Sequence, residues 1–208
     1  FISFIPGIDA RSCFDVSLKE EEGMIMKKLY GEIWEIEKTE NLTLRITKIL
    51  SFALLLGISA KIKIPFTPVP FTFQTLVIFV MLFLLREDSF FSVATYLVMG
   101  ALGIPLFAFG GGLTYFFSPT GGYLMGFLLA ALVIGHAFTF GDVVDNGFAA
   151  AVLFTIALTI IYGSGILWLV FVYHLTFEKA LIVGFLPFAF PELVKMTCAL
   201  IIFKAIKR

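Results

Sequence analysis

Phe109-Gly-Gly-Gly-Leu-Thr-Tyr-Phe-Phe-Ser-Pro-Thr-Gly-Gly-Tyr-Leu-Met-Gly-Phe127 sets six glycines and one proline between two apolar runs. Glycine accepts backbone angles closed to other residues, so the stretch reads as a structured loop and not as a continuation of either neighbour. The flanking runs, residues 90–107 and 122–140, are apolar enough to be helices in lipid. Helix, structured loop, helix is the unit from which the rest of the chain is read.

The whole chain shares that character. Of its 208 residues 60% are hydrophobic and 14% charged, with a mean hydropathy of +1.01, whereas soluble domains run at about 45–50% apolar and about 25% charged. Phe alone supplies 26 residues, more than one water-soluble core of this size usefully buries. Formal net charge is zero, and no basic surface marks a nucleic-acid partner. Cys13 and Cys198 stand in a polar tail and an apolar run, and His136 and His174 are isolated, so no disulfide framework or metal-ligand spacing arises.

Six apolar segments, at about 44–62, 73–85, 90–107, 122–140, 148–173 and 192–206, define an all-α membrane protein with six transmembrane helices. The first is the weakest. Its uninterrupted part is only residues 49–60, against the about 20 residues that a span needs, although Arg45, Lys48, Lys61 and Lys63 extend it by snorkelling to the interfaces. Six spans put both termini on one side. Lys27, Lys28, Lys38, Arg45 and Lys48 before the first span, with Lys204, Lys207 and Arg208 after the last, make that side cytoplasmic. Lys61 and Lys63 then fall outside, and the inner loop 141–147 carries Asp142 and Asp145 without a base.

Two regions follow from this: a polar N-terminal tail, residues 1–43, and a six-helix transmembrane substrate-binding domain, residues 44–208. The tail has short apolar patches broken by charges, and it lacks the basic start and unbroken apolar stretch of a secretory signal. Met24 or Met26, ahead of Lys27 and Lys28, reads as the natural start, with residues 1–23 as upstream sequence. Residues 27–43 read either as a short interfacial helix, with Leu29, Ile33 and Ile36 on one side, or as a loose tail.

The inner loops are short and polar, whereas the three outer ones, 63–72, 108–121 and 174–191, are long or rich in Pro, Gly and aromatics. Irregular backbone at membrane depth survives only where protein or a cavity covers it. Three such loops on one face therefore predict a capped pocket open to the outside. In the first, Pro65, Pro68 and Pro70 stiffen an extended segment that presents Phe66, Phe71 and Phe73. Gln74 follows, its amide serving either a ligand or the start of the next helix. In the second, Thr120, Gly121 and Gly122 lead straight into a helix whose free amides can face a polar ligand group. No GxxxxGK[ST] arrangement is present, so the glycines do not mark a nucleotide site.

Glu192 and Lys195, three apart at the start of the last helix, share one face beside the outer loops. They read either as an intrahelical ion pair or as the charged part of the site. Ala53, Gly57 and Ala60 make a small-residue face on the first helix, suited to close approach by another helix inside or outside the chain.

Taken together, residues 44–206 resemble the BioY family, the biotin-specific substrate-binding (S) components of energy-coupling factor (ECF) transporters. The anchors are Ile64-Pro65, Pro68-Val69-Pro70, Thr72 and Gln74; Gly100 to Pro105; and Pro119-Thr120-Gly121-Gly122-Tyr123-Leu124 with Gly126-Phe127. The resemblance implies high-affinity capture of biotin from outside a prokaryotic plasma membrane, with a transmembrane coupling subunit and paired ATP-binding subunits as partners. It implies no cofactor and no enzymatic chemistry in the chain itself, since ATP hydrolysis belongs to those partners.

On this resemblance Glu192 and Lys195 match an acidic residue and a lysine that contribute to biotin binding, with Glu after Pro191 where the family usually has Asp after Gly. Ser118 likewise stands where Gly commonly precedes the Pro-Thr-Gly-Gly turn. Phe66, Phe71 and Tyr123 would cover the thioether ring, and Lys195 would serve the carboxylate. Ala53 and Gly57 are similar to the AxxxA surface by which such components dock their coupling subunit. An S component for another vitamin shares these features, because pocket geometry sets the ligand. An intramembrane enzyme does not: His136 and His174 lie on opposite expected sides, and no nucleophile stands beside a base.

Overall fold

The computed structural model describes residues 42–64, 68–139 and 147–206. The chain divides into a unit of residues 1–45, of which only 42–45 are described, and a second unit of residues 46–208 that holds the helical body. The readings made for Met24, Met26 and the interfacial segment, for Phe66, and for Asp142 and Asp145 lie outside the described residues.

Seven α-helices account for most of the described chain. They are α1 (Leu42–Lys61), α2 (Gln74–Leu85), α3 (Asp88–Ala101), α4 (Gly121–Ala137), α5 (Gly147–Phe171), α6 (Phe177–Gly184) and α7 (Ala189–Ile206). Between α1 and α2 a small antiparallel hairpin forms from β1 (Lys63–Ile64) and β2 (Phe71–Thr72), with Lys63 opposite Thr72 and Ile64 opposite Phe71. Three helical stretches are long and apolar enough to cross a membrane: Leu42–Lys61, Gly147–Phe171 and Phe177–Ile206. Leu54, Ile58, Leu132, Val133, Ile156, Leu167, Leu193 and Ile201 point away from the core. Apolar helices with an apolar exterior make this a multi-pass membrane protein.

Several boundaries differ from the sequence reading, each for a physical reason. The segment expected to be weakest is a full 20-residue helix. The third segment stops at Ala101 and not at Phe107. Gly103 there takes φ +99°, a value open to glycine, and the chain folds back so that the buried Phe107 ring packs on Gly100. The third outer loop is largely helical, being α6 followed by a 3-10 turn at Leu186–Phe188. Thr176 caps α6 by accepting from the Lys179 amide at 3.4 Å. The last helix begins at Ala189, so Pro191 sits in its first turn, where a missing N–H has no intrahelical partner to lose.

Ala53, Gly57 and Ala60 face inward. Ala53 and Ala60 are fully buried, and a Cβ on Gly57 would lie 2.6 Å from Leu106 Cδ2. Leu106 from the loop after α3 lies against Gly57, and α1 turns Leu50, Leu54 and Ile58 outward.

The closest helix pair is α4 with α5. A Cβ on Gly126 would lie 2.8 Å from Ile161 Cα and 2.9 Å from its carbonyl oxygen, and one on Gly122 would lie 2.7 Å from the Ser164 carbonyl. Small residues four apart thus bring two backbones together in the manner of membrane helix pairs. Ser164 Oγ donates to the Gly122 carbonyl at 2.6 Å, and Tyr123, seated over Gly165, donates to the Gly184 carbonyl at 2.8 Å, tying in α6. Gly126→Leu is expected to destabilise the folded protein by about 1–3 kcal/mol or more through overpacking against rigid backbone. Gly163→Leu, where an added Cβ meets nothing within 4 Å, is the matched control and should leave the midpoint unmoved. Thermal unfolding in detergent of both variants checks the pair.

Candidate substrate site

The hairpin and the loops after α3 and before α4 close over one end of the helices and leave a cavity of about 550 Å³, open mouth included. Its walls are mainly aromatic: Phe71 from the hairpin, Tyr96 from α3, Phe107 and Tyr115 from the following loop, Tyr123 and Phe127 from α4, Tyr162 from α5 and Phe188. Aromatic rings meet edge to face at Tyr123–Tyr162 (5.6 Å) and Tyr96–Phe107 (5.4 Å), and Phe107 stacks on Tyr115 at 4.7 Å. Such pairs hold the wall in a defined shape.

The polar groups are concentrated where α2, α5 and α7 meet. Glu192 is 1% exposed and Lys195 4% exposed. The Lys195 ammonium donates to Glu192 Oε1 at 2.6 Å, to Thr75 Oγ1 at 2.8 Å and to the Thr72 carbonyl at 2.7 Å, and it lies 4.0 Å from the centre of the Phe71 ring. An ammonium has three N–H groups, and all three are used. Glu192 Oε1 also accepts from the hydroxyls of Thr75 at 3.0 Å and Tyr162 at 3.1 Å. Its second oxygen, Oε2, is buried without a hydrogen-bond partner. Removing a charge from water is tolerated only with a partner and hydrogen bonds, and a lone carboxylate oxygen on the wall of a cavity is an acceptor held ready for a donor.

A second polar chain stands nearby. Thr72 donates to the Gln74 carbonyl oxygen at 3.1 Å, and Gln74 Nε2 donates to the Tyr96 hydroxyl at 2.8 Å. Gln74 begins α2, and its amide bonds the side chains of Thr72 and Tyr96 beside the cavity.

Of the residues singled out from sequence, Phe71, Gln74, Thr120, Tyr123 and Glu192 line the cavity. Lys195 stands behind Glu192, its N–H groups bonded to the Thr72 carbonyl, Thr75 and Glu192, so that in this arrangement it positions Glu192 and anchors the hairpin. Gly121 and Gly122 also prove to be packing residues. Positions for their Cβ atoms are filled by the Phe116 carbonyl, Trp168 and Ser164, so glycine is needed there for close approach. Phe73 is 39% exposed and rests edge-on against Phe71 at 5.8 Å.

Thr75, Tyr96 and Tyr162 were not singled out. The available signal was a hydroxyl inside an apolar helix, where each polar group needs a partner. The sequence offered no indication of which partner it would be.

A family model described as the BioY family matches residues 28–208. The "Biotin transporter BioY" of Thermotoga maritima is 39% identical over 163 residues, covering 76% of this chain and 92% of that protein. The "Probable biotin transporter BioY" of Pyrococcus horikoshii is 35% identical over 159 residues, with the same coverage of each chain, 76% and 92%. A crystal structure of the S-component for biotin from an ECF-type ABC transporter superposes with a TM-score of 0.71 over 79% of this chain and 91% of that one; at 22% identity this establishes a shared fold. Sequence match along most of both chains and a common helical arrangement lead to one assignment: the chain belongs to the BioY family.

Proposed function

We propose that this protein captures biotin as the substrate-specific component of an ECF-type transporter. The observation that carries this reading is the unpartnered Glu192 Oε2, buried on the wall of an aromatic cavity. Biotin's ureido ring supplies N–H donors for such an oxygen, and its apolar thioether ring suits Phe71, Tyr96, Tyr123 and Tyr162. The names borne by relatives in Thermotoga and Pyrococcus support the same ligand.

In this reading α1, α2, α3, α4, α5 and α7 cross a prokaryotic plasma membrane, with both termini cytoplasmic and the hairpin and long loops outside. Basic residues before α1 and after α7 support that orientation. Energy comes from a transmembrane coupling subunit and paired ATP-binding subunits, and the S component itself performs no catalysis.

Calorimetric titration of the purified protein with biotin tests the ligand. Saturable one-to-one binding is expected, and the absence of saturable heat overturns the assignment. Uptake of labelled biotin by cells with and without the ATP-binding partners tests the transport role, with accumulation expected only when the partners are present.

A further inference from the structure

The cavity has a charge problem that the Glu192–Lys195 pair leaves unsolved. Those two residues neutralise each other, and every N–H of Lys195 is engaged within the chain. A ligand that brings its own carboxylate therefore needs a different cation. The end of α1 and the start of the hairpin supply two. Lys61 Nζ donates to the Phe107 carbonyl at 2.7 Å, and Lys63 Nζ donates to the Ala108 carbonyl while lying 3.8 Å from the centre of the Phe109 ring.

Phe107 and Ala108 both belong to the cavity wall. Two ammonium groups thus rest on consecutive carbonyls of a lining segment, and among the described residues neither is paired with a carboxylate. Each uses one of its three N–H groups there, leaving donors over. Like charges held on adjacent peptide groups repel one another, and an anion between them removes that cost while gaining charge-assisted hydrogen bonds.

We infer that Lys61 and Lys63 form a carboxylate-recognising subsite, with Lys63 as the principal cation and the Phe107–Ala108 peptide as the platform that aims both. The ligand's ring end then lies against Glu192, and its acid end reaches past the Phe107–Ala108 lining to Lys61 and Lys63, which stand outside the residues that line the cavity. The inference rests on the biotin reading above.

Comparison of biotin with its neutral methyl ester separates this subsite from a merely structural latch. The wild-type protein is expected to bind the acid about tenfold or more tightly than the ester. The double variant Lys61→Met, Lys63→Met should lose that preference: biotin falls to the level of the ester, while the ester's own affinity stays within about twofold. Lys63→Arg, which keeps the charge, should retain the preference. A double variant that still prefers the acid, or that loses acid and ester in parallel, overturns the subsite. A wild-type protein that binds neither ligand removes the biotin reading and this inference with it. Retained ester binding shows directly that the double variant is folded.

Discussion

Replacing Glu192 by Ala should abolish measurable high-affinity binding, by about a hundredfold or more, and cost about 3–5 kcal/mol of folding stability. Both effects arise from one oxygen pair. Oε1 holds Lys195, Thr75 and Tyr162, so truncation leaves a buried ammonium without its counter-charge and two buried hydroxyls without their acceptor. Oε2 is buried without a partner, and in the proposed biotin reading it is the acceptor that the ligand meets.

Glu192→Gln separates the two roles. Its amide oxygen can keep the bonds of Oε1, while its amide nitrogen occupies the place of Oε2 and presents donors where the ligand also presents donors. The expected result is a smaller loss of stability but at least about a tenfold loss of biotin affinity. Thermal unfolding in detergent and calorimetric titration of the same preparations measure both. Unchanged biotin affinity in Glu192→Gln would remove the carboxylate from ligand recognition.

Lys195→Ala has the second largest expected effect, and its pattern tells positioning from direct contact. The ammonium contributes nothing free to a ligand, yet it fixes the Glu192 carboxylate, holds Thr75 and ties down the Thr72 carbonyl of β2. Its removal strands a buried carboxylate and loosens the hairpin, so biotin affinity is expected to fall more than about tenfold.

Because Lys195 acts through Glu192, biotin and its methyl ester should weaken together in Lys195→Ala, in contrast to selective loss of the acid in the Lys61, Lys63 variant. Folding stability gives a second readout. The neutral pair Glu192→Gln, Lys195→Met should recover much of the stability lost in Lys195→Met alone, since buried ion pairs often exchange for neutral groups at little cost. Biotin binding should remain impaired. A loss confined to the acid form of the ligand in Lys195→Ala would return Lys195 to the carboxylate-binding role expected from sequence.

Much of this protein was legible residue by residue. Phe content, hydropathy and apolar run lengths specify helices in lipid, because no irregular backbone survives there uncovered. Pro68 and Pro70 foretell a break in helix ahead of α2, and Thr120-Gly121-Gly122 foretells the start of α4. Glu192 and Lys195 stand out because charge inside a membrane helix is costly without a purpose or a partner. The Thr176 cap and Glu178 in the first turn of α6 were readable signals as well, overshadowed by the aromatic and proline residues around them.

What could not be read depends on contacts between residues far apart in the chain. Glu192 and Lys195 lie three apart, and spacing alone makes them neighbours; that Thr75 and Tyr162 join them, 117 and 30 positions away, depends on how α2, α5 and α7 pack. A glycine in sequence looks the same whether it faces a ligand or a helix. Gly121 and Gly122 are closely packed because Phe116, Ser164 and Trp168 fill the space beside them, and Gly57 is covered because Leu106 folds back on α1. Local chemistry therefore settles which segments are helices, which are loops and which residues carry charge, since those properties follow from each residue's own hydration and backbone freedom. Which groups a charge spends its hydrogens on, and which oxygen is left facing the cavity, is settled by packing across the chain, since a hydrogen bond requires its partner within about 3 Å.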